Sequence, residues 1–98
     1  MPYLIQTTDK LAHEEVRASA RSAHLDYLEA HKDKILAAGT LLNDDGSGGY
    51  GGVYIIDAED RASAEEFIAA DPFTKAGLFE SVTISRWRKA YFNYENHL

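Results

Sequence analysis

The chain has 98 residues, of which 45% are hydrophobic and 27% charged, a composition typical of one globular domain. Its net charge of −6 argues against nucleic-acid binding, because such a surface repels a phosphate backbone. The absence of cysteine excludes disulfides, thiolate metal sites and cysteine nucleophiles. No apolar stretch reaches the ~20 residues that span a bilayer, and the N-terminus lacks signal-peptide features. We expect a cytoplasmic protein with no membrane partner and a single domain over residues 1–98.

The first half of the chain predicts a strand, a long helix and a second strand. Residues 3–7 are β-rich and read as a strand. Residues 12–38 are rich in Ala, Leu, Glu, Lys and Arg and contain no Gly or Pro, which favours a helix ending at Gly39. A second strand is predicted over residues 40–44, followed by "DGSGGYGG" as a flexible connection that could act as a pocket flap.

The second half predicts a strand, two helices and a final strand. Residues 52–57 form a nearly continuous apolar run, which suggests a strand buried on both faces. Residues 60–70 begin with helix-capping side chains and carry apolar residues on one side, so they predict a helix. A short helix lies between Asp71 and Gly77, and the alternation of residues 79–87 predicts the fourth strand.

The order of these elements predicts an α+β fold of the ferredoxin-like, split β-α-β type. In that fold a four-stranded antiparallel sheet carries its helices on one face. The predicted strands hold more large apolar residues than two helices can cover: Tyr3, Ile5, Tyr54, Ile56, Val82 and Trp87. We therefore predict a homodimer that packs through the open face of the sheet.

Two polar residues fall inside the apolar stripe of the first helix. With Val16 set at zero on a helical wheel, His24 falls near ~80° and Arg17 near ~100°, beside the apolar side chains. An inward charge needs a partner, because a buried unpaired charge is costly. His24 is either a core histidine bonded to a backbone carbonyl or a functional group that titrates near neutral pH. Arg17 either holds a ligand or lies along the surface with its stem on the core.

The dipeptide Asp71-Pro72 has a structural explanation and a functional one. Aspartate caps the start of a helix, and proline suits the first helical position. A carboxylate has about four acceptor sites, so Asp71 can cap the helix and also accept a hydrogen bond from the imidazole of His24. Such a contact would fix the tautomer of His24 and make its other nitrogen a better base.

Two segments carry a resemblance to a known family. "RSAHLDYLEAHKDKILAAG", with His24 and Leu25, resembles the first helix of the YciI-like (YCII-related) family, and "ADPFTKAGLFESVTI" is similar to its second signature. The resemblance covers nearly the whole chain. It implies a ferredoxin-like fold of the dimeric α/β-barrel superfamily and a His24–Asp71 dyad that lines a pocket.

The resemblance also implies a type of chemistry. Most of the family has no assigned reaction, but one branch eliminates HCl from a chlorinated hydroxyhydroquinone without metal or organic cofactor. By that likeness, Arg17 would hold the substrate and Pro72 would orient the dyad. The segment "LLNDDGSGGYGG" departs from the "AGP"-like loop of many relatives, and this loop would border the pocket.

Other patterns point elsewhere or to packing. "GSGGYGG" lies between two strands and lacks the lysine of a phosphate-binding loop. His24 and His31 stand ~10 Å apart along a helix, too far to share one metal ion, so we predict no metal. His31 and His13 are interpreted as surface residues. Tyr3 is either a core tyrosine or a residue of the pocket, as a wall or a proton donor.

The C-terminal aromatics, Tyr91, Phe92 and Tyr94, suggest docking on a neighbouring subunit or a wall of the pocket.

The sequence thus predicts a small dimeric enzyme without a cofactor that acts on a small aromatic or enol-type molecule. His24 would be the general base, oriented by Asp71 and Pro72, while Arg17 holds an anionic oxygen and Tyr3 borders the substrate. Elimination of HCl or isomerisation is the expected reaction. The alternatives are a non-catalytic module that binds or senses a small molecule, and a purely structural dimer.

Overall fold

The protein folds as a four-stranded antiparallel sheet with its helices packed on one face. The computed structural model describes residues 1–98. The strand order is β2-β3-β1-β4, with every neighbouring pair antiparallel. The elements are β1 Pro2–Asp9, α1 Glu14–Ala30, β2 Ile35–Leu41, β3 Gly51–Asp57, α2 Arg61–Ala69, α3 Pro72–Lys75, β4 Phe79–Arg86, β5 Tyr91–Phe92 and β6 Glu95–Asn96. The predicted ferredoxin-like α+β fold is confirmed.

The predicted end of the first helix is wrong. α1 stops at Ala30, a 3₁₀ turn covers Lys32–Lys34, and residues that read as helix form the edge strand β2. Alanine and leucine favour helix locally, but pairing with β3 sets Ile35 opposite Ile56 and overrides that preference. Gly39 is therefore a strand residue, and the strand predicted over residues 40–44 ends at Leu41.

The main core lies between the sheet and α2. Directly opposed residues share a face of a sheet, and the register sets Ile5 of β1 opposite both Tyr54 of β3 and Ile84 of β4. Burying one such large side chain stabilises the fold by about 1.5–3 kcal/mol. The buried cluster consists of Tyr3, Ile5, Tyr54, Ile56, Ala64, Phe67 and Ile68.

The same register corrects the argument from which the homodimer was predicted. Of the six large apolar residues cited for it, Tyr3, Ile5, Tyr54 and Ile56 lie on the face that the helices already cover. The open face carries other apolar side chains, among them the half-buried Leu4, Leu41, Val53 and Ile55. β3 is thus buried on one face only within this chain.

The short helix α3 is capped at both ends, by a side chain at its start and by backbone hydrogen bonds at its end. Asp71 caps it by accepting a hydrogen bond from the N–H of Phe73 at 2.8 Å. Its C-terminus has the paired bonds of a Schellman motif, in which Leu78 N–H donates to Phe73 O and Gly77 N–H donates to Thr74 O. Gly77 has a φ of 73°, a conformation that glycine adopts without strain. This turn therefore holds Asp71 and Phe73 in a defined geometry.

The C-terminal tail forms a separate two-stranded hairpin, β5–β6. Its turn places Asn93 and Tyr94 at positive φ. Tyr91 and Tyr94 are exposed, while Phe92 packs edge-on against Trp87. No helix of the chain is long and apolar enough to cross a membrane.

Candidate active site

His24 and Asp71 are in contact although 47 positions separate them in the chain. The Nδ1 atom of His24 lies 2.8 Å from one carboxylate oxygen of Asp71 and 3.0 Å from the other. Both residues are buried, Asp71 completely. A carboxylate only accepts hydrogen bonds, so Nδ1 carries the hydrogen and donates it. In the neutral ring Nε2 then has a free lone pair, and it forms no hydrogen bond within the chain.

Phe73 fixes the plane of the His24 ring. The two rings are stacked, with 3.9 Å between centroids and 14° between planes. Phe73 is fully buried and comes from the same short helix that Asp71 caps. One turn of the chain therefore supplies both the acceptor for Nδ1 and a flat surface for the imidazole. The sequence analysis missed Phe73, because an aromatic residue in a short helix reads as ordinary packing.

A cavity of about 140 Å³ opens beside His24, between α1 and the strands β2 and β3. This is room for a small ring with a few substituents, whereas drug-sized ligands occupy pockets of ~300 Å³ or more. Arg17 and His24 line the cavity from α1, Phe73 lines it from α3, and Gly52 and Tyr54 line it from β3. The remaining lining residues are Leu25, Leu28, Ala38, Gly39, Thr40 and Gly51.

Tyr54 brings a phenol to this cavity, although the sequence analysis counted it only among the large apolar residues of the strands. Its ring meets that of His24 edge-on, with 6.2 Å between centroids. Burial, and after it the negative charge of Asp71, raises the pKa of the Tyr54 phenol. The hydroxyl therefore stays protonated near neutral pH and can act as a hydrogen-bond donor.

Arg17 reaches the cavity with its charge already paired. Its guanidinium forms a bidentate contact with Asp9, with Nε to Oδ2 at 2.7 Å and Nη2 to Oδ1 at 3.1 Å. It also lies 4.8 Å from the centroid of Phe73. Nη1 forms no hydrogen bond within the chain, so one edge of the guanidinium can still contact a ligand.

The structure places the other predicted site residues away from the cavity. Tyr3 is a core residue, because the register sets it opposite Ile56, at the far end of β3 from Gly52. The prediction that Tyr3 borders the substrate is therefore corrected. Pro72 is the first residue of α3 and does not line the cavity, so it acts on the site only through Asp71.

The tail and the glycine-rich loop differ in their relation to the site. None of the tail aromatics lines the His24 cavity, which corrects their prediction as a pocket wall. The loop between β2 and β3 approaches Arg17, since a β-carbon at Gly49 would lie 3.5 Å from the Cδ atom of Arg17. A wider cleft, lined by Arg17, Arg21, Thr40 and Tyr50 among others, is bordered by this loop and shares Arg17 and Thr40 with the cavity.

Two further histidines lie outside the cavity. His31 is half-buried rather than exposed, because it donates from Nδ1 to Tyr27 O at 2.9 Å and packs on the Tyr27 ring. His13 is also half-buried, just before α1. The chain contains no group of three or more His, Cys, Asp or Glu side chains that could hold a metal ion.

The fold and the site together define a class: ferredoxin-like α+β proteins with a small cavity between the first helix and the sheet. The YCII-related domain matches residues 1–88, and the chain belongs to this family. Protein YciI of Escherichia coli O6:H1 strain CFT073 is 34% identical over 98 residues, which cover 93% of this chain and 100% of that protein. Protein YciI of Shigella flexneri gives the same values.

Solved structures support the same assignment. The chain is similar to 5-chloro-2-hydroxyhydroquinone dehydrochlorinase (TftG) of Burkholderia phenoliruptrix AC1100 in complex with 2,5-dihydroxybenzoquinone. The TM-score is 0.83 and the identity 38%, covering 90% of this chain and 94% of that chain. PA3566 of Pseudomonas aeruginosa has a TM-score of 0.53 at 15% identity, covering 90% and 91% of the two chains, which shows the fold alone. The fold is thus that of the dimeric α/β-barrel superfamily.

Proposed function

We propose that this protein is a small enzyme without a cofactor that uses His24 and Asp71 for general acid–base chemistry. The substrate is a small aromatic or enol-type molecule, and the reaction is an elimination such as dehydrochlorination, or an isomerisation. One observation carries the proposal: Asp71 holds Nδ1 of His24 at 2.8 Å, in the wall of a cavity of about 140 Å³. The likeness to a dehydrochlorinase of known structure supports the reaction class.

The mechanism begins with proton transfer from a substrate hydroxyl to Nε2 of His24. The same proton returns to the ring carbon that bears chlorine, which becomes tetrahedral. Chloride then leaves as a second hydroxyl proton passes to Nε2, and a quinone carbonyl forms. Overall one C–Cl bond and two O–H bonds are lost and one C–H bond is formed, so that HCl is released, two carbonyls form and no external oxidant is needed. Proton transfer by one positioned side chain is typically worth ~10²–10⁴ in rate.

Asp71 and Arg17 support this step in different ways. Asp71 keeps the hydrogen on Nδ1 and stabilises the imidazolium that forms when Nε2 takes a proton. The free Nη1 edge of Arg17 binds the oxygen that becomes negative when its proton leaves. The contact between Arg17 and Asp9 prevents the guanidinium from turning away from the cavity.

We further propose that two copies pack through the open face of the sheet. This face presents the half-buried Leu4, Leu41, Val53 and Ile55 and has no cover within the chain. Ile55→Asp should convert the dimer to a monomer, as measured by light scattering after size-exclusion chromatography. Ser22→Asp, on the exposed side of α1, is the matched control and should leave the dimer intact.

Chloride release from 5-chloro-2-hydroxyhydroquinone tests the proposed reaction. The wild type should release chloride, and His24→Ala should lower the rate by about 10²–10⁴-fold. His97→Ala, which changes an exposed histidine of the tail, is the control and should be fully active. A wild type that binds 2,5-dihydroxybenzoquinone but turns over neither this substrate nor related enols would instead be a binding module.

A further inference from the structure

The His24 cavity and the wider cleft are consecutive parts of one groove between α1 and the edge of the sheet. Along α1, Arg17 and Arg21 line the cleft, while Arg17, His24 and Leu28 line the cavity. At 100° per residue these four positions fall within about 60° of one another, so they share one face of the helix. Thr40 of β2 borders both parts. The cleft adds about 720 Å³ to the 140 Å³ of the cavity, so the groove has room for more than a small ring.

Arg21 brings an unpaired positive charge to the cleft. It is exposed and forms no ion pair within the chain, whereas the charge of Arg17 is paired with Asp9. Glu14 is the one acidic residue that lines the cleft. Seven residues separate Glu14 from Arg21, about 10 Å along the axis of α1, and Glu14 lies at the end of the groove away from the cavity. The part of the cleft nearest the cavity therefore favours an anion.

The cleft also offers an apolar surface whose backbone is held in place. Leu42 and Tyr50 line it and are 46% and 48% exposed. The N–H of Tyr50 donates to Leu41 O at 3.1 Å, and Tyr50 O accepts from the N–H of Asp9 at 2.8 Å. Covering such apolar side chains with the carbon atoms of a ligand is favourable, because it removes both from water. The cleft is therefore suited to a carbon chain that ends in an anionic group.

Gly49 leaves space where the cavity and the cleft meet. A β-carbon at this position would lie 3.4 Å from Cγ2 of Thr40 and 3.5 Å from Cδ of Arg17, the two residues that border both parts. The backbone of Gly49 does not have a positive φ, so its conformation does not require glycine. A larger side chain would fill this space, which glycine leaves to a ligand.

We infer that the substrate is a ring compound with a short side chain that ends in a carboxylate, and that Arg21 binds this carboxylate while the ring occupies the cavity beside His24. A guanidinium donates two parallel hydrogen bonds to a carboxylate, and a single negative charge matches a single unpaired arginine. Arg21 precedes His24 by three residues, about 4.5 Å along the helix axis, a distance that two or three carbon atoms span. This inference deepens the proposed function, on which it rests for the place of the ring.

The test uses two matched probes, 3-(4-hydroxyphenyl)propanoate and 3-(4-hydroxyphenyl)propanamide, which differ in the charge of the side chain. Isothermal titration calorimetry should show that the wild type binds the acid about 5-fold more tightly than the amide, as expected for one ion pair at an exposed arginine. This preference should shrink in 1 M salt, because exposed charges are screened. Arg21→Gln should bind the two probes equally. The control Arg88→Gln, at an exposed arginine outside the cavity and the cleft, should keep the preference.

Two further measurements place the probes in the groove. 2,5-Dihydroxybenzoquinone should displace both probes from the wild type, because all three rings use the cavity. Gly49→Val should weaken binding of both probes and leave binding of 2,5-dihydroxybenzoquinone unchanged, because valine fills the space that only a side chain of the ligand needs.

Equal affinity of the wild type for acid and amide, or no binding of either, would overturn the inference. So would a preference that persists in Arg21→Gln, an acid that 2,5-dihydroxybenzoquinone does not displace, or unchanged affinity of both probes in Gly49→Val. Because binding needs no turnover, failure of the proposed reaction is seen separately. If the wild type releases no chloride but Arg21 still determines the preference for the acid, the reaction is wrong and the carboxylate site stands.

Discussion

The imidazole of His24 lies flat against the ring of Phe73, 3.9 Å away between centroids, while its Nδ1 meets the carboxylate of Asp71. Asp71 and Phe73 are only two residues apart, at the start of α3. A single capped turn thus controls both the tilt of the imidazole and the position of its hydrogen. The orientation of the proposed base is set by α3, although the base itself belongs to α1.

Phe73→Leu should strongly lower the rate of the proposed reaction and only moderately lower the free energy of unfolding. Leucine remains apolar and fills part of the space, so the destabilisation should stay below the ~3–5 kcal/mol typical of Phe→Ala. The imidazole would lose its flat support, and a misplaced base costs about 10- to 100-fold in rate. Phe79→Leu, at a ring that packs edge-on against Phe73, is the matched control. Equal rate losses in both variants would contradict a specific role for Phe73.

Asp71→Asn should separate capping from catalysis. Asparagine also caps helices, so α3 should survive, but an amide does not stabilise an imidazolium. We expect a rate loss of about 10²–10⁴-fold with a small change in melting temperature. Asp71→Ala removes the cap and leaves His24 without a partner, and should cost about 3–5 kcal/mol of stability. A fully active Asp71→Asn enzyme would show that Asp71 is only a cap.

Arg17→Lys should raise KM while the fold persists. Lysine keeps a positive charge near Asp9 but loses the planar fork that contacts both carboxylate oxygens. An increase in KM of about 10-fold is expected, since the ligand loses one oriented contact. Arg88→Lys, at an exposed arginine after β4 that lines neither the cavity nor the wider cleft, serves as the control. Unchanged steady-state kinetics in Arg17→Lys would remove Arg17 from the site.

The raised pKa of Tyr54 predicts a specific loss of stability at alkaline pH. In the unfolded chain this phenol titrates at its ordinary value of 10.0, whereas the folded protein keeps the proton to higher pH. Above pH 10 the unfolded state therefore binds fewer protons, and the free energy of unfolding falls as the pH rises. The slope from one such group is at most about 1.4 kcal/mol per pH unit.

Tyr54→Phe should make the alkaline decline in stability shallower, as measured by denaturant melts between pH 9 and pH 11. Tyr27, whose pKa is raised first by burial, contributes in the same direction. Tyr27→Phe is therefore measured alongside, and the two effects should add because the residues titrate separately. An alkaline slope that Tyr54→Phe leaves unchanged would contradict the burial of a protonated phenol.

Local patterns were enough to find the residues at the centre of the site. His24 stood out because a polar side chain fell within an apolar helical stripe, and Asp71-Pro72 stood out as a capping signature. Both signals depend on short stretches of sequence, so a wrongly predicted boundary of a neighbouring helix or strand does not affect them. The fold followed from element order in the same way, even though the end of α1 was misplaced.

The sheet side of the site could not be predicted, because it depends on register. Tyr3 and Tyr54 are both strand aromatics, and only the pairing of β1 with β3, which sets Ile5 opposite Tyr54 and Tyr3 opposite Ile56, shows that Tyr54 is the one at the cavity end of the sheet. The prediction for the residues of β2 was wrong for a related reason. Their composition favours a helix, and only pairing with β3 makes them a strand.

Long-range ¹H–¹⁵N NMR spectra of the imidazole nitrogens test the central claim most directly. In the neutral ring of His24, Nδ1 should carry the hydrogen and Nε2 should carry none, and only Nε2 should shift strongly when 2,5-dihydroxybenzoquinone is added. Asp71→Asn should disturb this pattern, whereas the spectrum of His97 stays constant. A hydrogen on Nε2 of the neutral ring, or no response of His24 to the ligand, would contradict the account.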